Sequence, residues 1–141
     1  MKVTFFFLQN SSLLTNRKKL KLFLISLFNN EKTVIDGVLY IFCSDEYLLE
    51  INQNYLHHDN FTDIITFTLS SPGEPILGEI YISVDRIKEN AQIFSSTITH
   101  ELHRVIFHGA LHLCGYLDKT KKDKVRMTQT ENEYLISYFN K

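Results

Sequence analysis

The sequence predicts an α+β fold: a small mixed four-stranded sheet packed with about five helices, one of them a core helix carrying a metal-ligand motif. Three observations lead there. Short runs rich in β-branched and aromatic residues are separated by longer stretches whose apolar residues recur at helical spacing. Two of those short runs are joined by a turn with two prolines and a glycine, which makes them adjacent and antiparallel. Near the C-terminal third, His108 and His112 stand four residues apart in an otherwise apolar run, followed by Gly115 and Asp118.

In chain order, residues 1–8 read as a strand closed by the polar turn 9–12. Asn16 is placed to cap a helix to about residue 30, with Leu20, Phe23, Leu24, Leu27 and Phe28 on one apolar face. Residues 38–43 are apolar on both alternating faces, as in a central strand covered on both sides. Ser44 caps a second helix to about His57, with Asp45 and Glu46 in its first turn and Tyr47, Leu48, Ile51 and Tyr55 buried. Strands follow at 64–69 and 77–83. Ser83 caps a helix over 84–94, and 95–97 start the next, over 98–114. Thr120 and Asp123 resemble a capping box opening a last helix to about residue 139. No repeat, low-complexity tract or linker divides the 141 residues, which read as a single domain, 1–141.

Composition excludes several classes. At 44% hydrophobic and 22% charged, the chain is neither disordered nor a membrane protein, and no apolar run approaches the roughly 20 residues of a membrane helix. The apolar start is cut short by Gln9 and Asn10 with no small-residue cleavage site, so a cytoplasmic location is expected. Cys43 and Cys114 lie in apolar segments and read as buried free thiols. A net charge of −1 gives no global nucleic-acid signal. Two basic runs stand out, Arg17 to Lys21 and Lys119 to Arg126. Such runs ordinarily mark a solvated helix face, and the second, beside the histidines, also suits phosphate contacts through Lys121 and Lys122.

The stretch 108–118 carries the chemistry. Histidines at i and i+4 share a helical face about 5 to 6 Å apart at Cβ, so their ring nitrogens can converge on one ion. Gly115 can adopt the left-handed conformation that ends a helix, and Asp118 is the first side chain beyond it able to ligate a metal. The competing reading, two satisfied core histidines, would leave imidazoles among Val105, Ile106, Phe107, Ala110, Leu111 and Leu113 at about 1 to 3 kcal/mol per unpaired polar group. Gly109 stands where the HExxH metalloprotease helix has its glutamate, which disfavours peptide hydrolysis by that route. Glycine also costs a helix about 1 kcal/mol relative to alanine, so a substrate or a packed backbone is expected to approach there.

At these residues the chain resembles the YbeY family of bacterial rRNA maturation factors. Its signature, His-Gly-x-Leu-His-Leu-x-Gly-Tyr-Asp-His, is matched by His108, Gly109, Leu111, His112, Leu113, Gly115 and Tyr116. Asn52, Tyr55, Asp59, Thr62, Asp63 and Phe67 resemble a second family segment, and Leu77-Gly78-Glu79-Ile80 a third, in the same order and spacing. The resemblance implies a metal-dependent, single-strand-specific endoribonuclease acting in 16S rRNA 3′-end maturation and ribosome quality control, with RNA and the small ribosomal subunit as partners. It implies one ion. In the ungapped match the family's third histidine falls on Asp118, giving the ligands His108, His112 and Asp118; with one residue inserted, Lys119 would fall there and could not coordinate. Zinc is the first choice, and the oxygen ligand also admits manganese or iron(II).

Leu56 stands where the family has an arginine. Arg104, one turn before His108, is the candidate to replace it as a catalytic residue, and the alternative is that it pairs with a carboxylate such as Glu101 or Asp63. His58, Asp63, Lys121 and Lys122 are candidate substrate-binding residues, and His58 and His103 are placed to line the cleft, an exposed position being the alternative for His103. Other classes stay open. A ribosome-assembly or RNA-binding factor with a structural metal would need a fourth ligand, Cys114 or His103, and a metallohydrolase of another substrate class would place an acid such as Glu101 beside the ion.

Overall fold

The computed structural model describes residues 1–8, 11–58 and 62–140. The turn residues Gln9 and Asn10 and the family match at Asp59 lie outside them. Among the described residues there are four strands and five α-helices, in the order β1 (Lys2–Phe7), α1 (Arg17–Asn30), β2 (Ile35–Cys43), α2 (Asp45–Leu56), β3 (Ile64–Thr68), β4 (Ile76–Ser83), α3 (Val84–Ile93), α4 (Ile98–Leu113) and α5 (Lys121–Phe139). The predicted α+β architecture is therefore present. The sheet runs β1-β2-β4-β3, with β1, β2 and β4 parallel and β3 antiparallel to β4. β2 is central, as its two-sided apolar pattern predicts, and β3 is an edge.

Alternation along the strands divides the apolar residues between two faces. Val3, Val38, Tyr40, Phe42, Ile80 and Ile82 join the main core with Leu20, Leu24, Leu27 and Phe28 of α1, most of α4, and Met127, Leu135 and Tyr138 of α5. Cys43 and Ile65 pack with Leu48 and Ile51 of α2 in a smaller second core. α4 is the buried element: Leu102, Val105, Ile106, Phe107, Ala110 and Leu111 are all within 1% of full burial. Tyr40 donates its hydroxyl to the Ile106 carbonyl at 2.8 Å, a buried link between the central strand and this helix.

Two glycines set how closely α4 lies on the sheet. A Cβ on Gly109 would come within 2.9 Å of Ile64 Cδ1 and 3.0 Å of Ile80 Cδ1, and one on Gly78 within 2.5 Å of Leu113 Cδ1. What approaches Gly109 is thus a pair of sheet side chains, rather than the substrate or packed backbone expected from the sequence.

Capping follows the sequence closely with one exception. Ser44, Ser83 and Thr97 accept from the backbone N–H groups of Tyr47, Arg86 and His100, and Thr120 and Asp123 form the capping box. Asn16 precedes α1 in a left-handed conformation, φ 56°, and makes no side-chain cap. Tyr47 and Tyr55, expected inside, are 42% and 71% exposed. In their place the second face of α2 buries Asn52. Both cysteines are free. Among the described residues no helix is long and apolar enough to cross a membrane.

Candidate metal centre

α4 ends as predicted. Gly115 takes φ 97°, with its N–H on the His112 carbonyl at 3.0 Å and the Tyr116 N–H on the Leu111 carbonyl at 3.0 Å. The chain turns back, and Asp118 returns to the histidines. His108 Nε2 and His112 Nε2 lie 3.0 Å apart, and each is 3.3 Å from Asp118 Oδ2. Donors of a tetrahedral ion held at about 2.0–2.1 Å are separated by about 3.3–3.4 Å, so this triangle has the size of a coordination face.

The far sides of both rings support the same conclusion. His112 Nδ1 lies 2.9 Å from the Tyr116 carbonyl, which can only accept, so Nδ1 carries a proton and, when the ring is neutral, its Nε2 lone pair is turned inward. His108 Nδ1 meets a carboxylate oxygen of Glu131. Two inward lone pairs and a carboxylate oxygen repel one another unless a proton or a metal cation lies between them. His108, His112 and Asp118 can hold a metal ion.

These residues line a cleft of about 670 Å³. Ile64, Ile65, Thr66 and Thr68 of the edge strand β3 and Asn52 and Leu56 of α2 also line it. Of the predicted site residues, His58, Asp63 and Arg104 line it as well. Lys121 and Lys122 do not: they border a separate depression with Val125 and Arg126. Lys119, not chosen from the sequence, is the lysine that reaches the cleft. His103 does not line it. It is 4% exposed, with Nδ1 on the Thr99 carbonyl at 2.7 Å and its ring against Tyr138, Phe107 and Phe139, and burial lowers its pKa.

At the cleft wall Arg104 and Asp63 join an ionic group with the buried Glu101 and Glu131. Arg104 donates Nε and Nη2 to the two oxygens of Glu101 at 2.9 and 2.6 Å and Nη1 to Glu131 at 3.3 Å, with Asp63 at 3.6 Å. The carboxylate-pairing reading of Arg104 is therefore the geometry found, and it includes a partner, Glu131, that the sequence had not suggested. Burial works against the guanidinium charge, but Glu101, Glu131 and Asp63 outweigh it and raise its pKa. Burial raises the Asp63 carboxyl above the usual range, with Arg104 and His108 opposing. Glu101 is spent on Arg104 and is not one of the three ligands, and neither Cys114 nor His103 joins them.

Glu131 had one sequence signal. It falls within the stripe Met127, Glu131, Leu135 and Tyr138 that α5 buries, an acid at a core-facing position.

The family model described as Endoribonuclease YbeY matches residues 9–138. Curated relatives named Endoribonuclease YbeY include one from Cytophaga hutchinsonii, 48% identical over 132 residues, covering 93% of this chain and 92% of the relative. Another, from Christiangramia forsetii, is 40% identical over 133 residues, 94% of this chain and 92% of that one. The solution structure of TM1509 from Thermotoga maritima is similar with a TM-score of 0.68 and 30% identity, covering 99% of this chain and 89% of the other. Motif, fold and relatives agree along nearly the whole length, and the chain belongs to the Endoribonuclease YbeY family.

Proposed function

We propose that this chain is a single-domain, metal-dependent endoribonuclease that hydrolyses single-stranded RNA. Its place is the cytoplasm, in 16S rRNA 3′-end maturation and ribosome quality control on the small subunit, with zinc as the ion and manganese or iron(II) as substitutes. The observation that carries the reading is the convergence of His108 Nε2, His112 Nε2 and Asp118 Oδ2 at the wall of an open cleft, in a chain of this family.

When bound, a divalent ion supplies Lewis-acid polarisation of a phosphodiester and makes water a better nucleophile near neutral pH. His108, His112 and Asp118 hold it, the aspartate lowering its acidity relative to an all-histidine set. Arg104 is the proposed catalytic arginine. Three of its five N–H donors bond Glu101 and Glu131, and a remaining donor of this side chain, 27% exposed and lining the cleft, serves a phosphate oxygen. His58 and Lys119 supply further donors in the cleft, Asp63 steadies Arg104, and Lys121 and Lys122 attract the backbone beyond it.

The test is metal content and cleavage of single-stranded RNA by wild type, His112→Ala and Asp118→Ala. Wild type should carry about one ion per chain and cleave. His112→Ala should lose both properties, and Asp118→Ala should bind metal more weakly. Equal cleavage by wild type and His112→Ala, or no metal taken up by wild type, would remove this reading.

A further inference from the structure

Glu131 is 3% exposed, comes from a different helix than the metal-binding histidines, and is not itself within the ligand group. Burying a carboxylate costs several kcal/mol unless partners compensate it. Its partners are Arg104 Nη1 at 3.3 Å through one oxygen and His108 Nδ1 through the other. Arg104 cannot neutralise it alone, because Glu101 holds two of its N–H groups and Asp63 stands 3.6 Å away. Three carboxylates thus face one guanidinium, and the Glu131 oxygen not turned to Arg104 rests on His108.

A carboxylate there does two things to the ring. It takes the Nδ1–H as a hydrogen bond, which leaves the lone pair on Nε2 and points it at Asp118 and His112. It also makes that nitrogen a stronger donor, because negative charge across the imidazole favours positive charge on the near side. His112 has only a neutral carbonyl in the corresponding place. The two ligand histidines are therefore unequal, and the difference originates in α5.

We infer that Glu131 is a positioning residue of the metal centre: it fixes the tautomer of His108, aims its Nε2 at the ion and strengthens metal binding. The inference rests on the proposed ligand set His108, His112 and Asp118.

The experiment uses the full chain stripped of metal. Zn2+ affinity is measured by chelator competition for wild type, Glu131→Gln and Glu101→Gln, and long-range 1H–15N NMR of the wild-type apoprotein reads the histidine tautomers. His108 is expected as the Nδ1–H tautomer. Glu131→Gln should weaken Zn2+ binding by about 10- to 100-fold. Glu101→Gln disturbs the same arginine without touching His108, and should stay within about threefold of wild type.

A Glu131→Gln affinity equal to wild type, or an equal loss in Glu101→Gln, overturns the positioning role, the second by showing a general effect of the buried group. An Nε2–H proton on wild-type His108 overturns it even if Glu131→Gln fails to fold. Wild type that binds no Zn2+ overturns the metal site and this inference together, whereas tight wild-type binding with no loss in Glu131→Gln overturns this inference alone.

Discussion

Arg104 shows how much can hang on one side chain. Its two closest acids, Glu101 and Glu131, are each 3% exposed at the side chain, and the guanidinium is the permanent positive charge they share, Glu131 touching His108 as well. Arg104→Ala leaves both buried without that permanent charge, and the expected loss is about 3 kcal/mol, read from the urea midpoint at constant slope. A loss under about 1 kcal/mol would show that water reaches these carboxylates. The pairing also marks a boundary of what residue patterns disclose. His108, His112 and Asp118 could be placed from the sequence because helix periodicity and one glycine turn fix their relation within eleven residues. Glu131 is 23 positions from His108, and only the packing of α5 on α4 brings them together. Lys119 and Lys121 differ by a single turn of chain, and no local rule says which faces the cleft.

At the scale of elements, the close seat of α4 on β3 and β4 sets where the histidines stand in the cleft lining. Gly109→Ala gains about 1 kcal/mol in helix propensity but pushes a methyl into Ile64 and Ile80, at a cost of about 1 to 3 kcal/mol. A net destabilisation of about 1 kcal/mol is expected in equilibrium unfolding, and a stabilised variant would mean that the isoleucine ends swing aside freely. Element order, caps and strand pairing were legible because each depends on short-range chemistry: hydroxyls before helices, a proline and glycine turn between β3 and β4. Asn16 misled because an asparagine also tolerates the left-handed conformation, which it adopts here instead of capping. Tyr47 and Tyr55 misled because a ring can pack on a sheet aromatic and still stay exposed: Tyr47 lies 6.5 Å from Tyr81, and Tyr55 meets Phe67 edge-on at 6.4 Å.

For the whole molecule, all three candidate metal ligands come from one helix and the turn after it, while the cores are closed by apolar contacts elsewhere. The stripped protein is therefore expected to remain folded and to unfold cooperatively, with added Zn2+ raising Tm in step with its concentration; saturation at 100 times Kd stabilises by about 2.7 kcal/mol. Collapse of the stripped protein at room temperature would show instead that folding depends on the ion. The same economy of ligands hides a wider dependence. Glu31, at the end of α1, accepts the hydroxyls of Tyr116 at 2.8 Å and Tyr134 at 2.5 Å, and the Tyr116 carbonyl is the group that orients His112. A short peptide copied from the motif would carry the donor atoms without their aim, because that aim is assembled from three segments lying far apart along the chain.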